Sequence, residues 1–381
     1  MKAFCLNNIS KVALATLNGN DKTVDSVNEA DSILVRSFAM HEYELPKNVL
    51  AVARAGAGVN NIPLDKYANE GVVVFNTPGA NANAVKELVI AGLLLASRDI
   101  IGGVNWVKEN IGDEAIAKTA EKAKAQFAGT EIYGKTISVI GLGVIGVLVA
   151  NACVELGMKV KGYDPYLSIN NAMKLNKNVK YYEKLEDAVS CADFITVHVP
   201  AMDSTKKMIN KKLFDVANDG VIVLNFSRDT LVNEDDIKEA LEYGKVRKYV
   251  TDFANPNVVT FKNTIITPHL GASTEEAEDN CALMAISELK DYIENGNIAN
   301  SVNYPRVNAG AKVGTRICIN HKNIPGQIAN FSTVISSLGA NITNLVNKSK
   351  GDFAYTVLDV DGKIDQKAIE AIEGVLRVRV I

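Results

Sequence analysis

Residues 136–146 read Thr136-Ile-Ser-Val-Ile-Gly141-Leu-Gly143-Val-Ile-Gly146, a short apolar run that ends in three glycines and passes directly into the helical stretch Val147–Leu156. A strand, a glycine turn and a helix in this order open a parallel α/β sheet and aim the helix's unpaired N–H groups at an anion. Gly141 allows the tight turn, Gly143 lets backbone approach a pyrophosphate, and Gly146 lets the helix pack close to the strand. Val144 and Ile145 lie between the second and third glycines and are expected to line the same cofactor site. Asp164 follows eighteen residues after Gly146, at the end of the next strand-like run, Lys159–Tyr163. A carboxylate there accepts the adenosine ribose hydroxyls and repels the additional phosphate of NADP, so the expected cofactor is NAD.

The remaining composition limits what such a cradle can serve. A chain of 381 residues is too long for one ordinary core, and two or three domains are expected. The net charge is −3 and no block of Lys or Arg occurs, which removes the usual electrostatic footprint of nucleic-acid or acidic-membrane binding. The first residues, Met1-Lys-Ala-Phe-Cys-Leu-Asn-Asn8, lack the apolar stretch of an export signal, and no run is long enough to span a bilayer. Five scattered cysteines without a C-x-x-C pair read as reduced thiols, so a cytoplasmic protein is expected. Four histidines form no cluster with them, and no metal site is expected.

Short β-branched runs at Ser32–Arg36, Leu50–Arg54 and Val72–Phe75 alternate with helical or polar segments, a parallel α/β pattern that continues into a long alanine-rich helix near Ala84–Ser97. The charged stretch Trp106–Gln126 fits neither neighbouring core and reads as a surface excursion or dimer arm. After the cradle, strands are expected at Asp193–Val199, Gly220–Asn225, Lys248–Asp252 and Thr264–Thr267. A helix from about Glu275 to Asn295 returns the chain, and residues 297–305 read as irregular linker. Residues 314–381 then follow a strand, helix, strand, strand, helix, strand order. The expected fold is therefore α/β, with two doubly wound parallel-sheet domains and a small ferredoxin-like α+β unit. The boundaries are 1–97 with 282–305 for a discontinuous substrate-binding domain, 98–281 for the Rossmann nucleotide domain, and 314–381 for the last unit.

Ligands of open α/β sheets sit beyond the carboxyl ends of strands, so polar residues there are the first suspects. Arg54, with Gly56 and Gly58 behind it, suits an anion, although a turn with a salt-bridging Arg explains it equally simply. Arg228, in Asn225-Phe-Ser-Arg228, can fork onto a carboxylate and polarise a neighbouring carbonyl, the alternative being a helix-entry ion pair. His269, between Pro268 and Leu270-Gly271, can donate a proton to a developing alkoxide. His198 reads as wall or support.

In their order, G-L-G-x-I-G, then N-x-x-R, then P-H-L-G-A-S-T, the motifs resemble the D-isomer-specific 2-hydroxyacid dehydrogenase family. R-A-G-x-G-V-N at Arg54–Asn60, N-T-P at Asn76–Pro78, G-Y-D-P at Gly162–Pro165 and D-F-I-T-V-H at Asp193–His198 extend the resemblance over nearly the whole chain. It implies hydride transfer between C2 of a 2-hydroxy acid and NAD, with Arg228 on the carboxylate and C2 oxygen and His269 as acid/base. Val199, Pro200, Phe226, Asp252 and Gly271 would join the cofactor site. In the family a Glu before a proline orients the histidine. Here the chain continues Asp252-Phe-Ala-Asn255-Pro256, so Asn255 stands nearest that position and is expected to orient His269, unless Glu275 or Glu276 replaces it.

Within the family the chain is most similar to the branch acting on D-3-phosphoglycerate or, in reverse, 3-phosphohydroxypyruvate. Arg36 and Arg54 would hold the phosphate, helped by Ser37, Gly58 and Asn81. The tail, with Asn320-His321-Lys-Asn323-Ile-Pro325-Gly326 and later Ala340-Asn341, resembles an ACT domain, a regulatory amino-acid-binding module. That resemblance implies L-serine as effector, held by His321, Asn323 and Asn341 in a homo-oligomer, dimer or tetramer. Two other readings share the frame: a hydroxypyruvate/glyoxylate or other D-2-hydroxyacid reductase, and an NAD-sensing corepressor-like binding protein.

Overall fold

The computed structural model describes all 381 residues, which divide into two compact units, Met1–Asn81 with Glu275–Ile381, and Ala82–Thr274. In the first unit five parallel strands, β1 (Lys2–Cys5), β2 (Lys22–Val24), β3 (Ser32–Val35), β4 (Ala51–Arg54) and β5 (Val73–Phe75), lie in the order β2-β1-β3-β4-β5. β1 and β2 were not expected: they are short, lysine-bearing segments, β1 pairing with β3 and β2 adding to β1 as the edge strand. The helix Glu275–Asn295 returns to this sheet and buries Ala282, Ala285, Leu289 and Tyr292 in the same cluster as Leu34, Ala53 and Phe75.

In the second unit seven parallel strands, β6 (Thr136–Ile140), β7 (Lys159–Tyr163), β8 (Lys180–Tyr182), β9 (Phe194–Val197), β10 (Val221–Asn225), β11 (Val246–Thr251) and β12 (Thr264–Ile266), run in the order β8-β7-β6-β9-β10-β11-β12. Every residue of β9 and β10 is buried, as expected of strands covered on both faces. The strand order reverses between β6 and β9, which opens a ligand crevice at their carboxyl ends. The helix Ala82–Ser97 belongs here and not to the first domain, where the sequence reading put it. Gly92 makes this possible, because a Cβ there would come within 2.8 Å of the Phe226 ring. Likewise the return to the first unit begins at Glu275, seven residues before the expected boundary.

The last strands, β13 (Thr315–Lys322), β14 (Asn341–Lys350), β15 (Phe353–Asp361) and β16 (Val375–Val380), form an antiparallel sheet in the order β14-β15-β13-β16, the ferredoxin-like arrangement. Its two faces do different work. Ile317, Ile319, Leu358 and Val360 pack under the helix Gln327–Ser337 with Phe331 and Ile335, while Cys318, Phe353, Tyr355 and Val357 enter the core of the first unit. Tyr304 meets Phe353 at 5.7 Å between ring centroids, and Tyr355 Oη donates to the Gly296 carbonyl at 2.8 Å. Arg377 donates to the carbonyls of Val49 and Glu70, Arg379 donates to that of Tyr292 at 2.8 Å and lies 4.1 Å over its ring, and buried Arg316 pairs with Asp359 at 2.6 Å while reaching the Asn295 carbonyl. This sheet is fused into the first unit and shares its core.

Glu288, on the returning helix, is buried there. Its Oε1 accepts from Asn300 Nδ2, its Oε2 has no partner, and desolvation pushes its pKa up to about 7. A carboxyl whose folded pKa lies above its unfolded value adds stability that is complete below the unfolded pKa and is lost as pH rises through the folded one. Glu288→Gln is therefore expected to melt above wild type at pH 8, by up to about 3 kcal/mol, with the gap closing toward pH 5. A gap independent of pH in thermal scans at the two values would refute this.

Candidate functional site

The glycine cradle between β6 and the helix Val144–Glu155 is shaped by contact on two sides and by open space on the third. Gly141 has φ +91°, and a Cβ on it would lie 2.5 Å from the His198 carbonyl oxygen. At Gly146 the same atom would meet the Gly141 carbonyl at 1.8 Å, whereas at Gly143 it would meet nothing within 4 Å. The helix that starts after Gly143 has no side-chain cap, so its first-turn N–H groups, those of Val144, Ile145 and Gly146, have no acceptor from a cap. Asp164 sits beside them: its two oxygens accept from Leu142 N at 2.9 Å and Tyr166 N at 2.8 Å and retain further lone pairs. Space for a pyrophosphate, free N–H donors and a strand-end carboxylate together fit NAD. His198 serves as wall: Nε2 lies 2.9 Å from Thr196 Oγ1, and burial pushes its pKa down to about 3, so it is neutral. Val199 lines the glycine turn, and the Pro200 carbonyl accepts from Thr205 Oγ1.

Arg228 follows β10 on a loop fixed from within. Asn225 Nδ2 donates to the Arg228 carbonyl at 2.8 Å, Asn225 Oδ1 accepts from Ser227 N at 3.1 Å, and Ser227 Oγ donates to the Val197 carbonyl at 2.7 Å. The guanidinium itself is exposed and makes no ion pair, so the helix-entry alternative fails; it donates only to the Ser227 carbonyl. Phe226, expected at the cofactor, instead buries its ring in the core with Val89, Leu224 and Val250, because the close approach at Gly92 makes room for it there.

His269 lies after β12 with φ +57°, a left-handed conformation that is costly for a side chain of this size. Its ring is exposed, makes no hydrogen bond, and stands 5.1 Å from the Phe253 ring. What holds the backbone is Asp252. This carboxylate is 1% exposed; Oδ1 accepts from Thr267 Oγ1 at 2.6 Å and Leu270 N at 2.7 Å, and Oδ2 accepts from Gly271 N at 2.7 Å. The His269 N–H donates to the Asp252 carbonyl. Asp252 and Gly271, expected at the cofactor, thus spend these groups on the histidine loop.

Asn255 does not orient His269 here. Its Nδ2 donates to Glu234 Oε1 at 2.7 Å, and its Oδ1 accepts from the N–H groups of Asn257 and Val258 at 3.0 and 2.9 Å, so both ends of the amide are occupied. Asn257 Nδ2 donates to Glu234 Oε2 at 3.0 Å. One carboxylate on the first turn of the Glu234–Glu242 helix thereby ties the segment after Arg228 to the loop after β11. An acid 21 residues away in sequence gave no local signal.

In the first unit Arg36 and Arg54 end the paired strands β3 and β4, and Arg54 Nε donates to the Arg36 carbonyl at 2.9 Å. Arg36 also carries an ion pair with Glu278 of the returning helix, at 2.5 Å. Exposed Ser37 lies in a turn pinned by Asn7, whose Oδ1 accepts from Arg36 N and Phe38 N, both at 3.1 Å. Gly58 is half-buried in the loop after Arg54, and Asn81 Oδ1 is buried without a partner.

At the C-terminal sheet, His321 Nδ1 donates to the Lys322 carbonyl at 2.8 Å, and Nε2 lies 2.8 Å from Thr356 Oγ1. Both ring nitrogens are occupied, and burial lowers the pKa, so the ring is a neutral, fixed wall and not an open ligand group. Asn323 is exposed with Nδ2 on the Gly351 carbonyl at 3.1 Å, and exposed Asn341 begins the edge strand β14.

The model of the D-isomer specific 2-hydroxyacid dehydrogenase, NAD binding domain, matches residues 90–271. A D-3-phosphoglycerate dehydrogenase of Escherichia coli K12 is 29% identical over 95% of this chain and 89% of its own. One from Methanocaldococcus jannaschii is 31% identical over 79% of this chain, which spans only 57% of that relative's length. A solved NAD-bound 3-phosphoglycerate dehydrogenase of Entamoeba histolytica superposes with a TM-score of 0.62 and 25% identity, covering 80% of this chain and 98% of the other. With the cradle, the strand-end Arg228 and His269, and these matches in hand, residues 90–271 belong to the NAD-binding domain of the D-isomer specific 2-hydroxyacid dehydrogenase family.

Proposed function

We propose that this protein is an NAD-dependent D-3-phosphoglycerate dehydrogenase, which would supply the first step of L-serine biosynthesis in the cytoplasm. The observation that carries the substrate assignment is the pair of guanidinium groups, Arg36 and Arg54, at the ends of adjacent strands. NAD, when bound, supplies the hydride acceptor. Arg228, free of ion pairs, grips the carboxylate and C2 oxygen with a planar fork, and His269 takes the hydroxyl proton in oxidation and returns it in reduction. The Asp252-clamped loop fixes the backbone that carries the imidazole, which reduces the ordering left to the reaction.

Regulation belongs to the same proposal. Residues 314–381 act as an ACT-type domain that binds L-serine through Asn323 and Asn341 with His321 behind them. The exposed Val104, Val107 and Ile111, on and just after the helix Ile100–Glu109, suit a contact between copies, and the active form is a homo-oligomer. A hydroxypyruvate/glyoxylate reductase is the second reading, favoured by the Glu278 that already neutralises Arg36.

Steady-state NADH oxidation with 3-phosphohydroxypyruvate, hydroxypyruvate and glyoxylate, each with and without L-serine, tests all of this. The phosphorylated substrate is expected to win, and Arg36→Ala to raise its KM about tenfold or more while sparing hydroxypyruvate. Equal losses on both substrates would reject the phosphate role, and indifference to serine in rate and in calorimetry would reject the effector.

A further inference from the structure

Four elements converge on Arg36: the ends of β3 and β4, the segment after β5, and the returning helix. From that helix come Glu278, which pairs with Arg36, and, one turn on, Cys281, a thiol that is 4% exposed. Burial pushes the Cys281 pKa up, while Thr77, Arg36 and Arg54 pull it down and Glu278 opposes them, which places all five side chains in one neighbourhood. Of the carboxylates that open the helix, Asp279 is taken by Ser10 Oγ at 2.5 Å, and Glu275 and Glu276 are exposed. Glu278 alone among them is matched to an arginine. Its side chain and that of Arg36 are each 42% exposed, a setting in which an ion pair is weak and readily exchanged for a stronger anion.

We propose that Glu278 is the resident counter-ion of the substrate-phosphate site, a specificity-determining residue that occupies Arg36 until a phosphate dianion displaces it. The inference rests on the assignment of Arg36 to the phosphate. A dianion brings more charge and a bidentate face to the guanidinium, so it wins the exchange, but it does so against a carboxylate that competes for the same donors and repels it. An uncharged or singly charged substrate tail has no such advantage and leaves the pair intact. Glu278 thus lowers phosphate affinity and keeps the arginine extended and oriented between turnovers.

The test uses Glu278→Gln, a near-isosteric change on a half-exposed helix face, with Glu278→Asp as the conservative control. At low ionic strength the ratio of kcat/KM for 3-phosphohydroxypyruvate over hydroxypyruvate is expected to rise about 3–10-fold in the Gln variant and to stay nearer wild type in the Asp variant. Inorganic phosphate should stabilise the Gln variant in thermal scans at several-fold lower concentration than it does wild type, a readout independent of turnover. An unchanged or lower ratio, in a wild-type enzyme that prefers the phosphorylated substrate, overturns the role of Glu278 alone. A wild type without that preference, in which Arg36→Ala changes nothing, overturns the phosphate site and this inference with it.

Discussion

His269→Asn is expected to lower kcat by about 10²–10⁴-fold with little change in melting temperature, because it removes the proton-transfer group while asparagine tolerates the left-handed backbone at this position. The local geometry makes this a clean comparison. No hydrogen bond to the imidazole is lost, and the loop is held by Asp252 through Thr267, Leu270 and Gly271. Asp252→Ala should also cut kcat, but with a drop in melting temperature, since it strands a hydroxyl and two N–H donors in a buried site. Steady-state kinetics beside thermal scans separate the two behaviours. A His269→Asn enzyme that keeps more than a tenth of wild-type kcat would remove the histidine from the proton transfer.

Deletion of residues 314–381 is expected to unfold the first unit rather than release an unregulated enzyme. The deletion uncovers Tyr292 and Tyr304, now packed against Tyr355 and Phe353 respectively. Two aromatic side chains returned to water cost on the order of 4 kcal/mol, close to what many domains have in total. Circular dichroism and size exclusion of the truncated chain should report a melting point at least 10 °C lower, or aggregation. A truncated chain that is monodisperse and melts with wild type would mean that the shared core contributes little.

The sheets were legible in the sequence because period and punctuation agree there. The runs at Ser32, Leu50, Thr136, Lys159 and Gly220 are short, contain β-branched residues and are followed by polar, charged or glycine-bearing segments, and each became a strand within a residue or two of its expected bounds. The returning helix Glu275–Asn295 is apolar at helical spacing along its full length. What escaped is tertiary. Asn255 was read for its place before Pro256, yet its partner is Glu234; Asp252 was read as a strand-end ligand, yet its acceptors are filled by the next loop. Arg36 and Glu278 lie 242 residues apart, and no local rule pairs them. The sequence carries one signal for the fused tail. β15 alternates Phe353, Tyr355, Val357 with Ala354, Thr356, Leu358 and Val360, largely apolar on both faces, whereas a sheet covered by helices on one side needs only one.

Asp164, the carboxylate assigned to the adenosine ribose in the proposed NAD site, also ties the glycine turn to the strand beside it through Leu142 N and Tyr166 N. On that assignment, selectivity between the two nicotinamide dinucleotides and the integrity of the turn are vested in a single carboxylate. A lineage drifting toward the 2′-phosphorylated cofactor cannot simply exchange this acid for a small or basic residue, because the Leu142 and Tyr166 amides would be left without an acceptor in the same step. Such a change of allegiance requires at least a paired substitution, one to admit the phosphate and one to secure the turn, and this makes the NAD preference evolutionarily sticky.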